Sequence, residues 1–195
     1  TGDAGNSNLA QDKNSLNGKI LRVADDGSFP SDNPFNSPVY SYGHRNSQGL
    51  AWDDQSRFWA TEHGRSGIQS GLDELNLIEK GKNYGWPVIQ GSEIREGMVS
   101  PIIQSGDDTW APAGAAYLNG SIFFGGLRGE ALYEYQIEKK TLKTHFKGVY
   151  GRIRAVVMGL DDFLYITTSN RDGRGNPKEG DDKIIKINPE IFKNE

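Results

Sequence analysis

The feature that most constrains this chain is a unit that recurs in register. Gly49-Leu50-Ala51-Trp52 is followed seven positions later by Trp59 and then by Thr61. Gly114-Ala115-Ala116-Tyr117 leads over the same interval to Phe124 and then Gly126, and Ala155-Val156-Val157-Met158 leads to Tyr165 and then Thr167. Asp53-Asp54-Gln55-Ser56, Asn119-Gly120 and Asp161-Asp162 separate the paired runs, and all are residues suited to tight reversals. Each unit reads apolar strand, turn, aromatic strand, which is a β-meander. A further strand follows each unit, at Asp73–Glu79, Glu130–Ile137 and Asp182–Ile187, and Gly18–Val23 is a leading example behind Thr1-Gly2-Asp3. Alternation along Leu132–Ile137 and Ile184–Ile187 predicts outer strands with one buried face.

Thr61, Gly126 and Thr167 are spaced by 65 and then 41 residues. Repeats of roughly 40–50 residues with loop insertions are the mark of a β-propeller. Composition agrees: 25 glycines, 35% hydrophobic residues and no helical periodicity suit short strands joined by polar turns. The expectation is an all-β chain forming one partial β-propeller domain over residues 1–195, about three and a half blades by this count. An open sandwich or a β-barrel is the alternative. Because rings close with about 4–8 blades, a partial ring leaves an apolar flank open. Thr1 falls at a strand end, so the chain is expected to be truncated at its N-terminus within a larger protein.

Several function classes are disfavoured. The net charge of −4 with no basic run speaks against nucleic acid. No apolar stretch approaches the roughly 18 residues of a membrane span, and the absence of cysteine removes disulfides and thiolate metal sites. There is no P-loop, dinucleotide fingerprint or Ser-His-Asp order. The heads of the units are more informative. On the shared register Asn46 and Gln48 correspond to Arg152 and Arg154, each pair two apart and so on one side of its strand. With Arg45 beside them, and Arg128 expected at the same mouth because Leu127-Arg128 matches Glu62-His63, they form a set of guanidinium and amide groups. Arginine forks suit planar carboxylates, so the fitting ligand is a flat polyanion or an acidic small molecule. The alternative is that these arginines are solvated or salt-bridged. The Gly/Ser-rich loop after Gly64 can turn carbonyls towards a hard cation such as Ca²⁺, with carboxylates from Asp73-Glu74. Trp86 and Trp110 read as packing aromatics, His145 as a residue of a surface-like strand, and Asp172-Gly173-Arg174-Gly175 as a hairpin.

Gly43-His44-Arg45-Asn46-Ser47-Gln48-Gly49, Thr61-Glu62-His63-Gly64, Asp73-Glu74-Leu75-Asn76, Asn83-Tyr84-Gly85-Trp86-Pro87, Gly125-Gly126-Leu127-Arg128-Gly129 and Gly151-Arg152-Ile153-Arg154 occur in that order. Together they resemble the soluble pyrroloquinoline quinone (PQQ)-dependent aldose sugar dehydrogenases, the glucose/sorbosone dehydrogenase family. The resemblance runs from Thr1-Gly2-Asp3 to Ile187-Asn188-Pro189. It implies a six-bladed propeller of which this chain is the C-terminal part. It implies that Arg45, Asn46, Gln48, Arg152 and Arg154 contact PQQ, and that Arg128, where some relatives have lysine, offers a cation to the quinone side. The carbonyls of Gly64 and Arg65 would hold a Ca²⁺ that polarises the quinone, although Arg65 replaces the usual proline and the loop to Leu72 is longer than the family pattern. Glu74 and the backbone of Tyr84 look like a second, structural Ca²⁺ site. The implied reaction oxidises an aldose at C1 to a lactone, a histidine base taking the hydroxyl proton while hydride passes to PQQ C5. That base lies upstream of the TGD motif in the family, so neither His44 nor His63 is assigned it. The implied partners are an aldose sugar and an external electron acceptor, with homodimerisation left open, and the implied location is periplasmic or extracellular. Two rivals stand: a non-catalytic propeller module that binds carbohydrate or protein, and a calcium-dependent lactonase-like hydrolase, which would need carboxylates where this chain has arginines.

Overall fold

The computed structural model describes residues 1–194, so of the expected domain span only Glu195 lies outside it. The fold is a series of four antiparallel sheets whose strands follow one another in chain order. β1 (Lys19–Leu21) pairs with β2 (Val39–Tyr42). β3 (Ser47–Trp52), β4 (Phe58–Glu62), β5 (Glu74–Ile78) and β6 (Ile103–Gln104) make the second sheet. β7 (Pro112–Leu118), β8 (Ser121–Gly126), β9 (Ala131–Gln136) and β10 (Thr141–His145) make the third, and β11 (Ile153–Met158), β12 (Leu164–Thr168) and β13 (Ile184–Ile187) the fourth. Between them lie only short 3-10 turns and loops, and no helix among the described residues is long and apolar enough to cross a membrane.

The turns form where the sequence places their chemistry. Asp53 closes the β3–β4 reversal by accepting the amides of Gln55 at 3.0 Å and Arg57 at 2.9 Å. The same carboxylate holds Arg57 Nε and the Trp59 indole N–H. Asn119 and Gly120 take φ of 47° and 83°, the left-handed pair that a two-residue hairpin requires. One departure from the expected register begins at this turn. Trp52 faces Phe58 and Met158 faces Leu164, each six apart, whereas Tyr117 faces Ile122, five apart. The third unit is therefore one residue shorter after its turn, and Gly125, not Gly126, stands where Thr61 and Thr167 do.

The three inner strands share a bulge just after their polar heads, between Ser47 and Gly49, Pro112 and Ala115, and Ile153 and Val156. A threonine hydroxyl spans it twice: Gly49 N donates to Thr61 Oγ1 at 2.9 Å, and Ala155 N to Thr167 Oγ1 at 3.1 Å. β7 lies against β3 on one side and β11 on the other. The approach is close because small residues line it. A Cβ on Gly49 would stand 2.3 Å from the Ala113 carbonyl oxygen, and one on Gly114 would stand 3.0 Å from that of Arg154. Thr61 Oγ1 in turn donates to the Ala113 carbonyl at 2.7 Å.

Apolar cores fill the spaces between successive sheets. Trp59, Leu75, Ile122, Phe124, Tyr133 and Tyr135 join the second sheet to the third. Phe123, Leu132, Ile153, Val156, Leu164 and Ile166 join the third to the fourth. The period of two is visible in β8, where Phe123 serves one core and Ile122 and Phe124 the other; each such side chain contributes about 1.5–3 kcal/mol by burial. The expectation of one buried face on β9 is corrected here: Ala131 through Tyr135 are all buried, because the third sheet has a neighbour on both sides. His145 is likewise not a surface residue. It is buried, with Nε2 2.8 Å from Glu134 Oε2. Lys19 is also wholly buried, its ammonium donating to the carbonyls of Leu9, Ala10 and Asn17 and so closing the long first loop. Apolar side chains are left open on the second sheet, at Leu50 and Trp52, and on the fourth, at Val157 and Ile184.

The inner-strand contact gives a direct expectation. Gly49→Ala forces a methyl group into the Ala113 carbonyl and should lower stability by about 1–3 kcal/mol, read as a drop in the denaturation midpoint with an unchanged m-value.

Candidate functional site

The polar heads of the inner strands are brought level by three equivalent main-chain hydrogen bonds. His63 N donates to Asn46 O at 3.1 Å, Leu127 N to Ala111 O at 3.0 Å, and Ser169 N to Arg152 O at 2.9 Å. Asn46 and Arg152 thus occupy matching places, as the sequence register says. The expected match of Leu127-Arg128 with Glu62-His63 is off by one, because the shorter hairpin carries Leu127 to the place of His63. Arg128 still arrives at the mouth, its Nη1 donating to Ser70 Oγ at 3.0 Å.

Two of these heads, Ala111 and Arg152, border a cleft of about 350 Å³ lined also by His63, Arg65, Arg128 and Arg174, with Ser66 and Ser70 in its wall. Two buried ring and guanidine nitrogens of this lining, His63 Nε2 and Arg65 Nε, have no hydrogen-bond partner. Burial holds His63 below the usual imidazole range and the Arg45 charge adds to this, against the opposing pull of Asp73. Arg152 is almost wholly buried and is tied to the Leu127 carbonyl and Asp172. Arg154 is exposed, with Nε on Ser169 Oγ at 2.9 Å. Arg45 sits over the Trp86 ring at 5.7 Å and bonds Ser66 Oγ. Trp86 is therefore more than the packing aromatic expected of it: its indole N–H also donates to Asp3 Oδ2 at 2.9 Å. Of the residues expected to contact the ligand, Arg128 and Arg152 line the cleft, whereas Arg45, Asn46, Gln48 and Arg154 do not, and Gln48 is exposed.

A second, far smaller cavity of about 10 Å³ adjoins it, lined by Arg45, Glu62, His63, Gly64, Arg65, Glu74 and Tyr84 among others. That is about the room of one water-sized sphere. Burial pushes the Glu74 carboxyl up to about 8, the charges of Glu62 and Asp73 adding to the effect against hydrogen bonds from Asn76 and the Gly91 amide. The Tyr84 hydroxyl is spent on the Leu77 carbonyl and the Glu79 amide, so only main-chain atoms of Tyr84 remain for the cavity. Asp73, expected as a ligand, has both oxygens on main-chain amides, Gly64 N at 2.8 Å and Ala111 N at 2.8 Å. Glu62, which the sequence reading gave no role in the site, binds His44 Nδ1 at 2.7 Å, Arg45 N at 2.5 Å and Ser47 Oγ at 3.0 Å. The His44 ring stacks on Tyr84 at 4.7 Å and contacts Ser41 Oγ at 2.8 Å.

The family model described as glucose/sorbosone dehydrogenase matches residues 1–184. The chain belongs to the glucose/sorbosone dehydrogenase family. It is 31% identical to the aldose sugar dehydrogenase YliI of Escherichia coli K12 over 92% of its length and 53% of that protein's. It is 46% identical to quinoprotein glucose dehydrogenase B of Acinetobacter calcoaceticus, over 42% of this chain and 17% of that one. The PQQ-bound form of the Streptomyces coelicolor aldose sugar dehydrogenase superposes with a TM-score of 0.89 and 46% identity, across 95% of this chain and 56% of that chain. The chain thus spans about half the length of the glucose/sorbosone dehydrogenase relatives that it matches most fully.

Asp172 is what the sequence reading missed. Its loop is not merely a hairpin, for its carboxylate bridges Arg152 and Arg154. No motif marks it; the one available signal is an acid four residues after the polar end of β12, in a Gly-rich loop.

The raised Glu74 carboxyl fixes a pH dependence. Its folded value exceeds its unfolded one, so its contribution is fully present below pH of about 4.3 and is lost as pH rises through about 8. In metal-free buffer the melting temperature of the wild type should fall across that window relative to Glu74→Gln, which lacks the titrating group.

Proposed function

We propose that this chain forms part of a six-bladed β-propeller and carries much of the cofactor cradle of a PQQ-dependent aldose sugar dehydrogenase, a periplasmic or extracellular protein that passes electrons to an external acceptor. The observation that carries the proposal is the arginine-lined cleft with unpartnered His63 Nε2 and Arg65 Nε at its wall. A neutral or acidic protein has little reason to gather guanidiniums around one concave volume unless an anion is to fill it. The family membership and the likeness to a PQQ-bound relative support the identity of that anion.

The residues fit the group. Arg128 and Arg152 in the cleft supply forked donors for carboxylates, and Arg45, Asn46, Gln48 and Arg154 beside it would add guanidinium and amide donors. When bound, PQQ supplies the two-electron acceptance that oxidation of an aldose C1 hydroxyl to a lactone demands. The chain's own part is to hold the anion, to set its orientation by bidentate contacts and to stabilise negative charge by fixed cations. No residue of this chain is assigned the proton-abstracting role.

For a structural Ca²⁺ the smaller cavity offers the Glu74 carboxylate, which burial above all keeps raised, and the Tyr84 main chain, while the oxygens of Glu62 are already taken by His44, Arg45 N and Ser47. Among the described residues no group of three or more carboxylates and imidazoles gathers there, so the remaining ligands would be main-chain carbonyls and water. On the cofactor side the carbonyls of Gly64 and Arg65 are the proposed ligands. The Arg65 guanidinium brings a positive charge to the same cleft, so a Ca²⁺ there relies on the quinone's own carboxylates for charge balance.

Titration of the chain with PQQ, followed by absorbance and by thermal stabilisation, tests the reading. Arg128→Gln, which removes one exposed charged donor, should weaken binding roughly tenfold to a hundredfold and leave the melting temperature of the ligand-free chain unchanged. Absence of any shift with the wild type would point instead to a non-catalytic propeller module. A dye-linked sugar oxidation assay of this chain alone with PQQ and Ca²⁺ should show no turnover.

A further inference from the structure

Asp172 lies in the loop between β12 and β13, and the function proposed above does not use it. Its Oδ2 accepts from Arg152 Nε at 3.2 Å and Nη2 at 2.9 Å, and from Arg154 Nη2 at 2.9 Å. Ser169 Oγ reaches the same oxygen at 3.3 Å while accepting Arg154 Nε at 2.9 Å. The other oxygen accepts the Arg174 amide at 3.0 Å. The loop itself is pinned. Asn170 accepts Arg152 N at 2.8 Å and donates to the Tyr150 carbonyl at 2.9 Å and to Asp181 Oδ2 at 3.0 Å, and its own amide reaches Asp182 Oδ1 at 2.6 Å.

Two guanidiniums two residues apart on one strand repel, and the outer one, half exposed, has every reason to swing into water. One carboxylate oxygen shared between them removes that tendency. The side from which it acts matters. Arg152 and Arg174 line the cleft, whereas Asp172 and Arg154 do not. The aspartate is thus outside the lining and ties the buried arginine of the cleft wall to the exposed one beside it.

We propose that Asp172 is a positioning residue of the cleft, coupling Arg152 and Arg154 into one rigid double fork that recognises a ligand bearing more than one carboxylate. The proposal rests on the reading of the cleft as a carboxylate site. The rival role is a plug, in which the aspartate occupies the place of a ligand carboxylate, and the two roles differ in sign.

The test compares wild type with Asp172→Asn, using PQQ as the probe and the Nε–H signals of Arg152 and Arg154 in ¹⁵N spectra as a ligand-free readout. Positioning requires that PQQ binding weaken roughly tenfold to a hundredfold in Asp172→Asn, that both Nε–H signals lose their protection from exchange, and that the substitution cost less when Arg154 is already Gln. Unchanged or tighter PQQ binding, or arginine signals that do not move, overturns it. If the wild type takes up no PQQ, the ligand reading fails while the arginine signals still decide whether Asp172 couples the pair. Should Asp172→Asn not fold, Asp172→Glu keeps the charge but moves the oxygen by one methylene; a smaller loss of affinity supports the proposal, and full affinity with unmoved arginine signals overturns it.

Discussion

The structure depends first on how closely its inner strands approach one another. Gly49 against Ala113, and Gly114 against the main chain of Arg154 and Ala155, leave no room for larger side chains. Thr61 turns the contact into a hydrogen-bonded one, accepting the Gly49 amide and donating to the Ala113 carbonyl. The apolar cores widen outward from this seam, with indole and phenol rings between the second and third sheets. Small residues at the narrow end and large ones at the wide end are what wedge-shaped spaces between sheets require. The polar heads meet because they immediately precede the small residues. Their convergence is a by-product of packing that the site exploits.

Charge is sorted as well as gathered. The chain is acidic overall, with a net charge of −4, yet its cleft is lined by arginines. Several nearby acids are spent on holding main chain or orienting side chains. Asp73 fixes Gly64 and Ala111, Glu62 fixes Arg45 N and orients His44, and Asp172 holds Arg152. A carboxylate bonded to main-chain amides has its charge delocalised into fixed dipoles and interferes little with an arginine a few ångströms away. Glu74 is the exception. Its partners are a side-chain amide and one long contact at 3.3 Å to Gly91 N, too little to offset the burial that displaces its carboxyl upward.

The sheet-forming runs were legible because their chemistry is local. Alternation, Asp- and Asn-Gly-type turns, and the interval from Trp52 to Trp59 all lie within one unit. The correspondence of Asn46 with Arg152 was also legible, since both precede the same small-residue run by the same distance. What escaped was set by distant partners. β9 reads as one-faced until the fourth sheet is seen to cover its other side. His145 carries no local mark, because its partner Glu134 lies across the β9–β10 pairing. Asp172 looked like a turn residue because nothing within its own loop reveals the arginines at the head of β11. Trp86 stacks on an arginine 41 positions before it, as the numbering shows.

The two-residue hairpin at Asn119-Gly120 changes what a mutation can accomplish in such a chain. Shortening this connection by one residue, relative to its counterparts, exchanges the side chain delivered at the far end of β8 without altering any strand residue. Insertions and deletions at solvent-exposed reversals are thermodynamically mild. The rim of the cleft can therefore be rewritten from a distance, by the length of a surface loop on the opposite edge of the sheet. New ligand preferences are open to this architecture through indels that leave the packed interior intact, a route that substitution-by-substitution comparison of cleft residues would overlook.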